Sequence, residues 1–407
     1  MPKFSRSGQE WILDRFVAAL GIDALMPGFS VLATSPVIGF NVADVRQIAE
    51  RTRGMLGMRR EYLRAAARRE ELAHQAEAKG HSATARRQYH LSALYYGFAQ
   101  YTIQEDADPE KARLHARCQE CYAKVIKYAA TPIEKVEIPF EDTPPYKAQS
   151  FPGLLHLPQG QGPFPCVIFI PGTDMHKEQV PNPEDNIFAK RGLACLSIDG
   201  PGQGESLLRM LKVHVETWNY ERAVTAALDY LETRSEIDMA RIATLGVSTG
   251  SYWSPRAALH EARHKNRIKA CVGLMAQWDP YFVTEFEYAQ PAFKSNYMYM
   301  AGVDDEAEFD RQARLHTLEQ VIEEITCPIL ISQGEFDELC PPTTVERILR
   351  RAKAPHELWI WEDEHHPMGG VAIEAWETAL DWILDRFEGK AVQTGRVLTF
   401  AKTMSHP

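Results

Sequence analysis

From residue 131 onward the chain alternates apolar runs of strand length with longer segments of helical spacing, and this alternation constrains the fold more than any other feature. The runs occupy residues 166–170, 193–198, 242–245, 271–275, 328–332 and 357–361. Strands separated by helices return to one sheet in parallel, so the pattern predicts a mostly parallel sheet with helices on both faces. Ahead of these runs, residues 134–140 alternate apolar and polar, residues 143–145 form a turn, and residues 154–157 return. That adds an antiparallel pair and brings the expected sheet to eight strands. Sheets of this kind bind ligands beyond the carboxyl ends of their strands.

Up to about residue 130 the apolar spacing is helical. Trp11, Ile12, Phe16, Val17 and Leu20 share one stripe, and Val42, Val45 and Ile48 begin another. A long Ala- and Arg-rich helix is expected from about Met58 to Lys79, with Gly80 as its C-terminal cap. Two more follow, one carrying Tyr89, Leu94, Tyr95, Phe98 and Tyr101, the other starting at Asp108-Pro109. The expected division is a helical domain over 1–130, a sheet domain over 131–390 and a tail over 391–407. One connection in the sheet domain, about 276–326, is too long for a plain crossover. It is rich in aromatics and Met, which predicts a lid or pocket wall. Trp278, Tyr281, Phe282 and Tyr297 are its candidate substrate-binding residues, with simple packing on the N-terminal helices as the competing reading.

Charge and cysteine usage narrow the partners. A formal net charge of −10 disfavours nucleic acid, since phosphate binding wants a basic patch. The basic run from Arg64 to Arg69 is interleaved with acids nearby and reads as a solvated helix face. Seven dispersed cysteines, several of them in apolar runs, read as reduced thiols. Cys118 and Cys121 form a C-x-x-C without a second pair or a histidine cluster, which reads as helix packing and not as zinc. With no signal-peptide pattern and no apolar run long enough to span a bilayer, a cytoplasmic enzyme without membrane partners is expected. No metal or cofactor motif is present, and a small-molecule substrate is the expected partner.

The chemistry lies in what leaves the strands. Gly246, Ser248 and Gly250 form a G-x-S-x-G directly after the run at 242–245. A serine on so sharp a strand-to-helix turn has its hydroxyl raised at the sheet edge, and side chains at the two glycines would crowd the turn. Asp337 follows the run at 328–332 and is placed as the acid. His365 and His366 follow the run at 357–361, and one of them should be the base. The order Ser, Asp, His is that of the α/β-hydrolases, whose oxyanion hole uses the amide after the nucleophile, here Thr249. A second amide comes from the loop after residue 170, at Thr173 or Asp174.

These blocks resemble a known group. The segments 172–178, 198–205 (Ile-Asp-Gly-Pro-Gly-Gln-Gly-Glu), the elbow, and 334–338 look like those of 2,6-dihydroxypseudooxynicotine hydrolase and its relatives, which include FrsA-like esterases and fungal polyketide-shortening hydrolases. The resemblance covers about residues 134–385 and implies an α/β-hydrolase fold with an N-terminal helical domain. The Asp-Gly-Pro-Gly-Gln-Gly-Glu block is its most specific part and reads as a structural turn beside the site. Carbon–carbon hydrolases of the group use the triad and an acid in the oxyanion-side loop. Matched residue by residue, these are Ser248, Asp337, His365 and Asp174. At the last position the pyridine-type hydrolase has Glu where this chain has the shorter Asp.

The expected function is a cofactor-free serine hydrolase that attacks a ketone or acyl carbonyl of a bulky, partly aromatic molecule. A β-dicarbonyl or acylphenol substrate would lose a carbon–carbon bond. An ester would ask simpler work of the same groups, making the chain a carboxylesterase or acyltransferase. A hydrolase fold kept as a silent receptor is the reading from another class. Ser at 248, in place of Asp or Cys, argues against dehalogenases and dienelactone hydrolases. The N-terminal helices have two roles open to them, a cap over the site in cis or the interface of a homodimer.

Overall fold

A computed structural model describes residues 5–6, 9–21, 36–144, 148–173, 175–289 and 291–400. Among the described residues, helices come first: α1 (Glu10–Leu20), α2 (Val42–Arg51), α3 (Met55–Ala78), α4 (Ser82–Gln100) and α5 (Pro109–Lys127). Capping chemistry sets their ends. Asn41 accepts from the Ala43 and Asp44 amides to open α2, and Asp108 accepts from Lys111 to open α5, with Pro109 at the first helical position. Gly80, at φ 74°, closes α3 in a left-handed turn. The Gly80 amide donates to Glu77 and the His81 amide to Ala76. Arg64 and Arg68 are exposed, as a solvated face requires. Arg69 departs from that face and is largely buried in a two-pronged pair with Asp44 at 2.6 and 2.7 Å.

The remaining chain forms one sheet in the order β1-β2-β4-β3-β5-β6-β7-β8-β9. The strands are β1 (Ile133–Pro139), β2 (Ser150–His156), β3 (Phe164–Ile170), β4 (Ala194–Ile198), β5 (Ile237–Val247), β6 (Ile268–Leu274), β7 (Ile329–Gly334), β8 (His356–Trp361) and β9 (Arg396–Phe400). β2 runs antiparallel to both β1 and β4, and every other pair is parallel. The eight expected strands are joined by a ninth, because residues 396–400 of the tail pair with β8 at the edge. Helices α6 (Gly204–Leu208), α7 (Asn219–Glu232), α8 (Thr249–Ala262), α9 (Pro291–Ala301), α10 (Glu306–Ala313), α11 (Pro342–Leu349) and α12 (Ala372–Phe387) complete the molecule.

Two apolar layers hold the sheet. One unites its face with α7, α8 and the 276–326 insertion, through Ile168, Leu228, Leu259, Phe282 and Tyr297. The other joins Phe169, Leu245 and Val272 to α12 and to Tyr62, Leu94, Tyr95 and Leu114 of the N-terminal helices. Those helices therefore complete a core that the sheet begins. Cys118 and Cys121 are buried in this second layer. No helix among the described residues is long and apolar enough to cross a membrane.

Candidate active site

Ser248 sits between β5 and α8 at φ 51° and ψ −123°, a conformation that non-glycine residues seldom adopt. The glycines beside it explain how the turn closes. A Cβ on Gly246 would strike the Gly250 carbonyl, and one on Gly250 would strike the carbonyls of Ile170 and Pro171. The Ser248 amide donates to Leu274 at 2.9 Å, which ties the elbow to β6.

The Ser248 hydroxyl lies 2.9 Å from His366 Nε2, and His366 Nδ1 lies 2.9 Å from Asp337 Oδ2. The other Asp337 oxygen accepts from the Leu339 and Cys340 amides, both at 3.0 Å, so the carboxylate is fixed at both ends. His366 and Asp337 are buried. Burial alone would pull the His366 imidazole down. The negative charge and hydrogen bond of Asp337, aided by Glu338 and Glu285, outweigh it and hold the pKa above its ordinary value.

The histidine expected from the resemblance, His365, is not the one that meets the serine. Its ring is 45% exposed and faces Glu338 at 3.4 Å and Phe336. Neighbouring side chains leave this loop in opposite directions, and the inward one is His366, whose amide is also anchored on Glu338 at 3.2 Å. Pro367 restricts the backbone of its predecessor without naming a direction for the side chain, so no local signal in the sequence separates the two histidines.

On the oxyanion side, Thr249 opens α8 and its hydroxyl is hydrogen-bonded to that of Thr173. Asp174 lies outside the described residues. The loop is held from below by the Asp-Gly-Pro-Gly-Gln-Gly-Glu turn. Gln203 donates to the Pro171 carbonyl at 2.7 Å and the Gly172 carbonyl at 3.0 Å, and accepts from the Tyr220 hydroxyl at 2.6 Å. Asp199 accepts from the Lys177 amide, the Lys177 ammonium and the Glu205 amide. Lys177, fully buried, also meets Glu178 at 2.8 Å and Glu205 at 3.0 Å. Burial opposes its charge, but the three carboxylates outweigh this and hold its pKa well above the ordinary value.

Cys118, His176 and Glu178 bring potential ligand atoms within 4.8 Å of one another. His176 Nδ1 and Lys177 already engage Glu178 in an ion-pair network, and burial holds the Cys118 thiol far above its ordinary pKa.

Of the proposed substrate-binding aromatics, Trp278 donates its indole N–H to the Ser251 carbonyl at 2.9 Å. Phe282 and Tyr297 are buried against Tyr252, Phe286 and His316. Tyr281 is 40% exposed. Among the described residues, the ring contacts of Phe282 and Tyr297 and the indole bond of Trp278 are with α8 and the insertion itself. One acid absent from the sequence expectations acts on His366 through its charge: Glu285, buried, accepts from Gln277 at 2.7 Å and favours the protonated imidazole. Only the irregular path of the insertion brings it there, and no local spacing announces it.

Comparison with known proteins agrees with this architecture. The model of the family described as FrsA-like esterase matches residues 55–302. The chain is 29% identical to 2,6-dihydropseudooxynicotine hydrolase of Paenarthrobacter nicotinovorans over 320 residues, 78% of this chain and 81% of that protein. It is 30% identical to alpha/beta hydrolase xenA of Xenoacremonium sinensis over 227 residues, 53% of this chain and 49% of that one. The crystal structure of 2,6-dihydroxy-pseudo-oxynicotine hydrolase aligns with a TM-score of 0.76 at 25% identity, covering 91% of this chain and 99% of that one. AbyA5 shares the fold with a TM-score of 0.63 at 18% identity, over 86% and 95% of the two chains. The fold, the serine elbow and these matches together make the chain a hydrolase with the α/β-hydrolase fold that belongs to the FrsA-like esterase family.

Proposed function

We infer that Ser248 is the nucleophile, His366 the base and Asp337 the orienting acid of a serine hydrolase. The observation that carries this reading is the unbroken relay of two 2.9 Å hydrogen bonds from the Ser248 hydroxyl through His366 to Asp337. His366 takes the Ser248 proton as the hydroxyl attacks a ketone or acyl carbonyl. The amides of Thr249 and Thr173 receive the oxyanion at a helix N-terminus, where negative charge is favoured. Collapse expels the leaving group, which takes the proton from His366. Water, deprotonated by the same histidine, then releases the acyl group from Ser248.

The substrate class proposed is a β-dicarbonyl or acylphenol, whose carbon leaving group departs as a stabilised enolate or phenolate-type carbanion. The buried Glu285 carboxyl, whose charge acts on His366, supports this choice, because ester hydrolysis asks for nothing beyond the triad and two amides. Carboxylester hydrolysis is the second reading, favoured by the family description. The test is labelling by a fluorophosphonate, followed by assay of a 1,3-diketone and a p-nitrophenyl ester with the unaltered protein and Glu285→Gln. Labelling at Ser248 with diketone cleavage lost in the variant is expected. No labelling would overturn the serine mechanism, and equal loss on both substrates would favour the esterase.

A further inference from the structure

Beside Thr173 lies a cavity of about 40 Å³, where the N-terminal helices, the oxyanion-side loop and the insertion meet. Gln100 and Lys111 line it from the helices, His176 from the loop and Asn296 from α9, and all four side chains are at least nine-tenths buried. Gln100 Nε2 meets His115 Nδ1 at 3.2 Å, and the polar groups of the other three are sparsely partnered. His176 Nε2 has no hydrogen-bond partner among the described residues. The Asn296 amide nitrogen reaches the Met300 sulfur at 3.9 Å. The Lys111 ammonium donates to the Ile103 carbonyl at 2.7 Å and lies 4.5 Å over the Tyr299 ring, with no carboxylate in ion-pair distance among the described residues. Its neighbour Asp106 is engaged by Lys212 at 2.5 Å. A buried ammonium held, among the described residues, by one neutral carbonyl and a ring face is costly unless something anionic completes it.

We propose that this cavity is the subsite for an anionic oxygen of the substrate, with Lys111 as its cation and Gln100, His176 and Asn296 as further polar contacts. The proposal rests on the hydrolase reading and adds to it a substrate feature: a carboxylate or an enolate oxygen held on the oxyanion side of Ser248. The volume admits one such group and not a ring, so the bulk of the substrate lies elsewhere. Burial pulls Lys111 down to about 7, helped by Lys212 and opposed by Asp106 and Asp108. The groups that face it are these three, the Tyr299 ring and His176. An arriving anion favours the charged form, and binding should weaken as pH rises and the ammonium is lost.

Two probes separate the sources. The first is the ratio of kcat/KM for the p-nitrophenyl monoester of glutaric acid to that for p-nitrophenyl valerate, which differ in a terminal carboxylate. The second is the affinity of the Ser248→Ala protein for dimedone, a cyclic 1,3-diketone that ionises to its enolate. Lys111→Met should lower the carboxylate-to-neutral ratio, or weaken dimedone binding, at least tenfold, and the probe affected names the source. In the protein with native Lys111, the same quantity should fall between about pH 6 and about pH 9. His366 acts on both esters and cancels from the ratio. The proposal is overturned if neither quantity changes in the folded variant or, should the variant not fold, if both are flat over that pH range. Absence of fluorophosphonate labelling at Ser248 would overturn the serine-hydrolase reading alone, since dimedone binding reports the subsite without catalysis.

Discussion

His366 and His365 are adjacent in sequence and opposite in fate, one ring buried on Asp337 and the other 45% exposed. Glutamine at 366 removes the group proposed to take the Ser248 proton and should cut kcat/KM by several orders of magnitude, whereas glutamine at 365 should cost less than about tenfold. The reverse outcome in a single-turnover ester assay would move the base. Ser248→Ala should abolish turnover with circular dichroism unchanged, because the strain at the elbow is in the backbone. The pH dependence follows from the raised pKa of His366. Catalysis needs the neutral imidazole, so the rate falls as pH falls, with the midpoint above the ordinary value of about 6.5. Glu285→Gln removes a negative charge that favours the imidazolium, and the midpoint of kcat/KM should move down. A midpoint that stays or rises in this variant would remove Glu285 from the neighbourhood of the base.

At the scale of elements, the oxyanion-side loop is set by the turn that follows β4. Gln203 serves the carbonyls of Pro171 and Gly172 and receives the Tyr220 hydroxyl, so Gln203→Leu leaves three buried polar groups to find other partners. Each unsatisfied group costs about 1–3 kcal/mol. Because the loop carries Thr173, kcat should fall by more than KM rises, and a variant with lower stability but unaltered kcat would separate the turn from the site. The Asp-Gly-Pro-Gly-Gln-Gly-Glu block was legible as a turn beside the site, and so were the strands, whose apolar runs report burial directly. Its partners were not legible. Lys177, Pro171 and Tyr220 are brought to it by sheet order, which no local spacing encodes. The same holds for Glu285 and for the ninth strand, whose pairing depends on where the tail meets β8. The choice between two adjacent histidines turned on the path of one loop.

Across the whole molecule, the N-terminal helices and the sheet share a core and an electrostatic seam. Arg86 pairs with Glu184 at 2.6 Å, Gln119 bonds Glu205, and the His176 ring lies against Gly97 of α4, where any Cβ would displace it. The seam runs through Lys177, whose charge balances Glu178, Asp199 and Glu205. Lys177→Met would strip Asp199 of its cation and leave Glu178 with His176 and Glu205 with Arg209, a loss of about 3–5 kcal/mol when one partner of a buried pair is removed. A stable domain holds only about 5–15 kcal/mol in all, so the midpoint of urea unfolding should drop steeply, and an unchanged midpoint would mean that the acids are protonated in the folded protein. The largest consequence concerns truncation. A chain beginning at residue 131 loses Tyr62, Leu94, Tyr95 and Leu114 from the layer over Phe169, Leu245 and Val272, and loses Gln100 and Lys111 from the cavity beside Thr173. Uncovered apolar surface on a sheet face drives association, so the fragment should aggregate on expression, which light scattering reads directly. A soluble, monodisperse fragment that still hydrolyses p-nitrophenyl valerate would show that the sheet closes its own core and that the helices serve something other than the site.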